Sequence, residues 1–106
     1  MTNPVVRRTN ETLDVLELLL AAGDDEVYGW DIAKRLELGG PTVYKILDRL
    51  TRHEMLTWRW AEPDPDSTRP RRRMYRVTEY GKTIAGQLLD RRRLFIGKVT
   101  DAIPAY

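Results

Sequence analysis

The spacing of the hydrophobic residues changes twice along this chain, and the two changes limit the folds that it can adopt. Up to residue 53 the apolar side chains recur at helical spacing. From Leu56 to Trp60 they alternate with polar residues, which is typical of a strand, and from residue 79 the helical spacing returns. The sequence therefore predicts a mainly α domain with a small β-ribbon.

Two glycine-containing breaks divide the first part of the chain into three helices. The first helix is expected to begin at residue 10 and to end at Gly23. A short second helix is predicted over 30–36, and Gly39-Gly40-Pro41 then begins a third helix over 41–53, because proline suits the first helical position. Two helices joined by a short glycine turn are the signature of a helix-turn-helix.

The ribbon follows this motif directly, which predicts a winged helix-turn-helix. Its strands are expected at 56–60 and 72–77, and a turn-rich loop containing three prolines joins them. We call residues 61–76, which include this loop, the arginine-rich wing. Trp58 and Trp60 are expected to pack over the core, although a ligand could also stack on them.

Thr78 is expected to cap a long C-terminal helix. At about 22 residues this helix would be roughly 33 Å long, which is more than a core of this size can cover. Its apolar stripe therefore predicts contact with a second copy of the chain, and the alternative is that the stripe folds back on the first helix. The expected dimer interface comprises Ile84, Leu88, Phe95 and Val99.

We therefore expect three regions: a flexible N-terminal arm over 1–9, a winged helix-turn-helix DNA-binding domain over 10–78, and a C-terminal dimerisation helix over 79–106. The net charge of +2 is distributed unevenly between them. Residues 1–40 carry four basic and eight acidic residues, whereas residues 41–106 carry fourteen basic and eight acidic ones. Such asymmetry favours an anionic partner for the basic part, with a solvated charged face as the alternative.

Candidate DNA contacts lie in the third helix and in the wing. The first turns of a recognition helix face the major groove, where hydroxyl groups and lysine can bind phosphates or base edges. The wing offers a dense arginine cluster, which suits the phosphate backbone or the minor groove. The alternative is that the basic wing docks on an acidic protein partner. The candidates from these segments are Thr42, Tyr44, Lys45, Arg49, Arg69, Arg71 and Arg72.

Enzymatic function is not expected. The chain has no cysteine, and His53 is its one histidine, so thiolate chemistry, multi-histidine metal sites and a histidine-based triad lack their residues. No glycine-rich phosphate loop is present, and we predict no cofactor and no metal. The longest apolar run, Leu18 to Ala22, is far too short to span a membrane, and no targeting segment is visible. We therefore expect a cytoplasmic protein.

Three motifs resemble those of PadR-type transcriptional regulators. The run YGWDIAKRL over 28–36 resembles their second helix, and PTVYKILDRL over 41–50 resembles their recognition helix. RPRR over 69–72, followed by MYRVTEYG over 74–81, is similar to their wing. The resemblance covers roughly residues 11–90, and the wing motif is its most specific part. Glu54 is a departure, because the family often has glycine there.

The resemblance implies a homodimeric DNA-binding transcriptional regulator, usually a repressor, of the small subgroup with one helix after the wing. By position it makes Tyr28, Thr42, Tyr44 and Lys45 DNA contacts and adds Arg69, Arg71 and Arg72 as wing contacts. The last helix forms the dimer in this subgroup. Some members bind aromatic or drug-like effectors between the subunits, but no distinctive effector residue carries over to this chain.

Overall fold

The residues that the structure describes form four helices and one three-stranded antiparallel sheet. The structure is a computed structural model that describes residues 10–66, 68 and 71–102, with the side chains of 94–102 left out. The predicted arm over 1–9 lies outside the described residues. The elements in chain order are α1 (Asn10–Ala22), β1 (Val27–Tyr28), α2 (Gly29–Leu36), α3 (Gly40–Arg52), β2 (Leu56–Trp60), β3 (Arg73–Val77) and α4 (Glu79–Ala102).

The helices and the two wing strands lie where the sequence predicts them, but one strand was missed. β1 precedes α2 and pairs antiparallel with β3, so that Val27 opposes Tyr75 and Tyr28 opposes Met74. The sheet therefore has the order β1-β3-β2, and the ribbon is anchored on one edge. A strand of two residues is too short to show alternation, so its sequence gives no periodic signal.

A single core lies between the helices and one face of the sheet. It combines the apolar stripes of α1, α3 and the first half of α4 with residues of α2, β2 and β3. These stripes were predicted from their helical spacing, and burying them supplies the main driving force for folding. Fully buried side chains include Val15, Leu16, Ile32, Val43, Leu47, Leu50, Met55 and Tyr75.

The first half of α4 packs against α1 of the same chain. Ile84 and Leu88, two of the predicted dimer-interface residues, are 5% and 4% exposed and belong to this core. The ion pair between Arg92 and Asp14, at 2.9 Å, also joins α4 to α1. The alternative reading of the apolar stripe, folding back on the first helix, therefore applies to this half. The side chains of Phe95 and Val99 lie outside the described ones.

The prediction that Trp58 and Trp60 cover the core is wrong. Trp58 is 37% exposed and Trp60 is 47% exposed, and their rings contact each other edge to face at 5.3 Å. Both do share a strand face with buried Leu56, as alternation requires. The core extends along this face only as far as Tyr75, which pairs with Trp58, so Trp58 lies at the edge of the core and Trp60 projects beyond it.

The wing joins α3 and α4 through a close junction. Glu54, where the family often has glycine, has φ +62°, so this residue takes the left-handed conformation despite its side chain. Its carbonyl oxygen accepts a hydrogen bond from the Thr78 hydroxyl at 2.8 Å. That hydroxyl in turn accepts one from the Gly81 amide at 2.9 Å, which confirms Thr78 as the cap of α4.

Gly81 lies directly against the backbone of this junction. A Cβ atom there would collide with the carbonyl oxygen of Met55, which already accepts a hydrogen bond from the Thr78 amide at 3.0 Å. Glycine at position 81 therefore allows α4 to begin immediately beside the first wing strand.

Candidate nucleic-acid interface

The N-terminal end of α3 is open to solvent. Gly39 precedes the helix without a side-chain cap, and Pro41 follows in its first turn. Thr42 and Lys45 are exposed. The uncapped N–H groups of a helix N-terminus, together with the helix dipole, attract phosphate oxygens. This end of α3 thus combines backbone donors, a hydroxyl and an ammonium group within two turns.

Tyr44 is held at this end by the backbone of α2. Its ring lies against Gly29, where an added Cβ would come within 2.8 Å of the ring carbon Cε1. Tyr44 nevertheless remains 38% exposed, so part of the side chain faces solvent. The absence of a side chain at Gly29 therefore lets Tyr44 lie flat between α2 and α3.

One face of α3 carries a stripe of cations. Lys45, Arg49 and Arg52 are spaced at four and three residues, so they share one face of the helix. No carboxylate among the described residues lies within ion-pair distance of these three side chains. They border a shallow depression on the helix surface that also includes Asp48 and Thr51. This stripe therefore presents positive charge that the fold itself does not neutralise.

The wing arginines form two groups. Arginines of the first group contact other side chains of the protein. Arg73 forms an ion pair with Asp48 of α3 at 3.5 Å. Its guanidinium carbon also lies over the rings of Trp58 and Trp60, at 4.4 and 5.4 Å from their centroids. Arg73 thus fastens the ribbon to the recognition helix by charge and by cation–π contact.

Glu26, just before β1, contacts arginines on the opposite face of the ribbon. Its carboxylate accepts two hydrogen bonds from the guanidinium of Arg59, at 2.7 and 2.8 Å, and lies 3.6 Å from Arg76. The hydrogen bond from Arg59 is the main cause that lowers the pKa of Glu26 below its ordinary value. Glu26 precedes β1, so these contacts tie the edge of the sheet to the wing.

Arg71 and Arg72 form the second group of wing arginines. Neither has a carboxylate within ion-pair distance among the residues that the structure describes. Arg72 instead lies over the ring of Tyr28, with its guanidinium carbon 5.4 Å from the ring centroid. The predicted contact Arg69 lies outside the described residues. The two described cations at this end of the wing are therefore available for an external anion.

A groove of about 600 Å³ runs between the wing and the start of the two helices of the helix-turn-helix. We call it the aromatic groove, because four aromatic side chains line it together with three arginines. Its lining comprises Tyr28, Gly29, Trp30, Tyr44, Trp60, Arg71, Arg72 and Arg73. The groove brings together four residues that were predicted from the sequence to contact DNA: Tyr28, Tyr44, Arg71 and Arg72.

Sequence reasoning missed three residues of this surface. Trp30 and Trp60 are 55% and 47% exposed and line the groove, and Arg52 extends the cation stripe of α3. The helical spacing from Lys45 to Arg49 and Arg52 could have identified Arg52. The exposure of Trp60 had no signal in the sequence, because an alternating strand looks the same whether or not a core extends beneath it.

The described part of the chain offers no site for a metal ion, since it contains no group of three or more histidine, aspartate or glutamate side chains that could bind one. No helix within that part is both long and apolar enough to cross a membrane.

The helix-turn-helix, the ribbon after it and the long following helix define a winged helix of the kind found in transcription regulators. A DNA complex of MepR from Staphylococcus aureus matches with a TM-score of 0.69 and 26% identity, over 91% of this chain and 66% of MepR. PcaV from Streptomyces coelicolor, solved with its natural ligand, matches with a TM-score of 0.69 and 23% identity, over 92% of this chain and 64% of PcaV. The chain thus spans slightly less than two thirds of the length of these two proteins.

A third solved structure matches over nearly its whole length. It is a PadR family transcription regulator from Clostridium difficile R20291, with a TM-score of 0.68 and 22% identity over 89% of this chain and 97% of that one. A comparison with curated proteins found no significant match. The model of the transcriptional regulator PadR-like family matches residues 15–87. The chain belongs to this family of transcriptional regulators, as its motifs predicted.

Proposed function

We propose that this protein is a sequence-specific DNA-binding regulator of transcription that acts as a homodimeric repressor. The observation that carries the proposal is a set of cations on α3 and on the wing that have no carboxylate partner among the described residues. Lys45, Arg49 and Arg52 lie on α3, and Arg71 and Arg72 lie at the outer end of the wing. In this proposal α3 enters the major groove and the wing contacts the backbone or the minor groove.

The two sides of the surface have different tasks in this proposal. The first turns of α3 read base edges, with Thr42 and Lys45 closest to the open helix end, while Arg49 and Arg52 bind phosphates. Arg71 and Arg72 of the wing bind the backbone and release counterions, which gives affinity rather than sequence preference. Arg69 belongs to this wing set by prediction. The crystallised DNA complex of MepR, at 26% identity, supports the assignment of DNA as the partner.

Dimerisation is assigned to the second half of α4. This helix has 24 residues, and among the described side chains its contacts with α1 reach as far as Arg92. Ile84 and Leu88 then act indirectly, by fixing the helix on its own subunit, whereas Phe95 and Val99 remain the predicted contacts with the partner. Sedimentation of the Phe95→Asp variant tests this assignment, and an unchanged dimer would contradict it.

The protein works by binding and not by catalysis, it needs no cofactor, and it resides in the cytoplasm on the nucleoid. Residues 10–78 form the DNA-binding domain and residues 79–106 the dimerisation helix.

Footprinting on the DNA that flanks its gene tests the proposed function directly. A symmetric dimer should protect two half-sites about one helical turn, or a multiple of it, apart. Binding should weaken steeply with salt, because phosphate contacts release counterions. Protection that is absent at low salt, or a single asymmetric site, would contradict the proposal.

A further inference from the structure

We propose that the aromatic groove also binds single-stranded DNA, with unpaired bases stacked on its aromatic side chains and the phosphates of the strand on its arginines. This activity is additional to the binding of an operator duplex. Only the choice of DNA over RNA rests on the proposed function, because the groove shares Tyr28, Tyr44, Arg71 and Arg72 with the surface assigned to duplex DNA. The binding of an unpaired strand rests on the groove alone.

Three large aromatic side chains of the groove are exposed to solvent. Trp30, Tyr44 and Trp60 are 55%, 38% and 47% exposed, and all three line the same groove of about 600 Å³. Clustered apolar surface is unfavourable in water and commonly marks a binding site. The occupant that suits these rings has flat apolar faces.

Bases offer their flat faces only in an unpaired strand. In a duplex each base lies between its neighbours, so a protein reaches the base edges in the two DNA grooves. An unpaired base can instead stack on tryptophan or tyrosine, and this stacking accepts any base because every base has a π-face. A duplex therefore leaves the rings of Trp30 and Trp60 without stacking partners, whereas a single strand supplies them.

Two of these aromatic side chains are held in place before any strand arrives. Tyr44 lies against the backbone of Gly29. Trp60 contacts Trp58 edge to face, with the ring centroids 5.3 Å apart, and the guanidinium carbon of Arg73 lies 5.4 Å from the Trp60 centroid. A base that stacks here does not have to order these side chains first, which lowers the entropic cost of binding.

The arginines of the groove suit the phosphates of the strand. Arg71 and Arg72 have no carboxylate partner among the described residues, and Arg72 lies over the ring of Tyr28 at 5.4 Å. None of the described residues that line the groove is acidic. Proteins bind single strands by this combination, since cations follow the backbone while aromatic rings hold the bases.

Fluorescence anisotropy of a labelled thymidine strand of about twelve nucleotides, titrated with the full chain at low salt, tests the binding. Thymidine strands do not pair with themselves, so the probe stays single-stranded. The matched probe is a strand of the same length without bases, which keeps every phosphate. We expect it to bind roughly tenfold more weakly, because it loses the stacking contacts. Equal binding of the two probes, or no binding of either, would overturn the proposal.

Two substitutions locate the strand. Trp30→Ala and Trp60→Ala should each weaken binding of the thymidine strand roughly tenfold and leave binding of the strand without bases nearly unchanged. Tyr80→Ala removes an exposed aromatic on α4, outside the groove, and should not change either affinity. Thermal melting checks that the variants are folded, and Trp30→Ala, which removes the more exposed ring, decides if Trp60→Ala does not fold. Thymidine binding that survives the tryptophan substitutions would refute the site.

Two comparisons distinguish this inference from the proposed function. Lys45→Gln with Arg49→Gln, on α3 and outside the groove, should weaken binding of the operator duplex and leave binding of the thymidine strand nearly unchanged. The tryptophan variants should lose more affinity for the single strand than for the duplex, and equal losses would overturn the proposal. A protein that binds the thymidine strand but no duplex would support the inference and contradict the proposed function.

An RNA strand tests the choice of DNA. A uridine strand of the same length offers similar bases and the same phosphates, together with 2′-hydroxyl groups. We expect it to bind no more tightly than the thymidine strand, since no carboxylate of the described lining can accept a hydrogen bond from those hydroxyls. Tighter binding of the uridine strand would overturn the assignment to DNA.

Discussion

The inner and outer parts of the wing both contain arginines, but their environments differ. In the inner wing, formed by β2, β3 and the junction at their base, Arg59 and Arg76 contact Glu26 and Arg73 contacts Asp48. In the outer wing, residues 61–72, the described arginines have no carboxylate partner. The acidic residues of this loop do not neutralise them, since Glu62 reaches only Arg59, at 3.8 Å.

This difference shows that a cluster of arginines in a sequence is not one functional unit. The engaged arginines fasten the ribbon to the sheet edge on one face and to α3 on the other. The free arginines are then held at a fixed position relative to the recognition helix, which reduces the entropic cost of binding. The comparison predicts that changes to the inner wing alter stability and that changes to the outer wing alter binding.

The largest effect is expected from Gly81→Ala at the base of the inner wing. The new methyl group would meet the Met55 carbonyl oxygen, so the backbone must shift, and the free energy of unfolding should fall by about 2–4 kcal/mol. Urea denaturation measures this change. The matched control is Gly86→Ala in the same helix, where nothing lies within 4 Å and alanine should stabilise the protein slightly. Equal stability of the two variants would contradict the close junction.

Neutralising the outer wing should weaken DNA binding without a loss of stability. The double substitution Arg71→Gln with Arg72→Gln should lower operator affinity by roughly tenfold or more and reduce the salt slope by about two, because two phosphate contacts disappear. Anisotropy titrations at several salt concentrations measure both. Arg91→Gln with Arg93→Gln on α4 changes the net charge equally and should leave the slope nearly unchanged. A similar loss in both double variants would mean that total charge, rather than the wing, determines affinity.

The Glu26 contacts should make part of the stability depend on pH. The pKa of Glu26 is lowered in the folded protein, so its ion pairs contribute fully above its ordinary value of 4.5 and the contribution is lost as pH falls through the lowered folded pKa. The difference in urea midpoint between wild type and Glu26→Gln should therefore shrink below that pH. Glu62→Gln, which removes a 91% exposed carboxylate near the same arginine, should show no comparable difference. A difference in urea midpoint between wild type and Glu26→Gln that stays constant with pH would argue against this ion pair.

The smallest effect is expected where α3 leads into the wing. Glu54→Gly should raise the free energy of unfolding by about 0.5–1 kcal/mol, because glycine adopts a φ of +62° without the steric cost that Glu54 bears. Glu54→Ala keeps that cost and serves as the control in the same denaturation experiment. Stabilisation by alanine as large as that by glycine would point to the lost charge and not to the backbone.

Much of the fold could be predicted from the sequence because its elements have strong local signals. Helical spacing identified all four helices, the alternation from Leu56 identified the wing, and Thr78 identified the cap of α4. β1 was not predicted, because a strand of two residues is too short to show alternation. Its pairing also depends on β3, which lies far along the chain. Glu54 shows the opposite case, since the junction imposes a backbone conformation that the residue itself disfavours.

The sequence by itself determined the order of the elements, the family and the basic character of the wing and recognition helix, because periodicity, motifs and charge are local properties. Only the tertiary structure decided which arginines are neutralised, that Ile84 and Leu88 lie in the subunit's own core, and that Trp60 faces solvent in a groove. Those outcomes depend on distances between residues that are remote in the chain. No local pattern specifies such distances, since they follow from how the packed helices position the sheet.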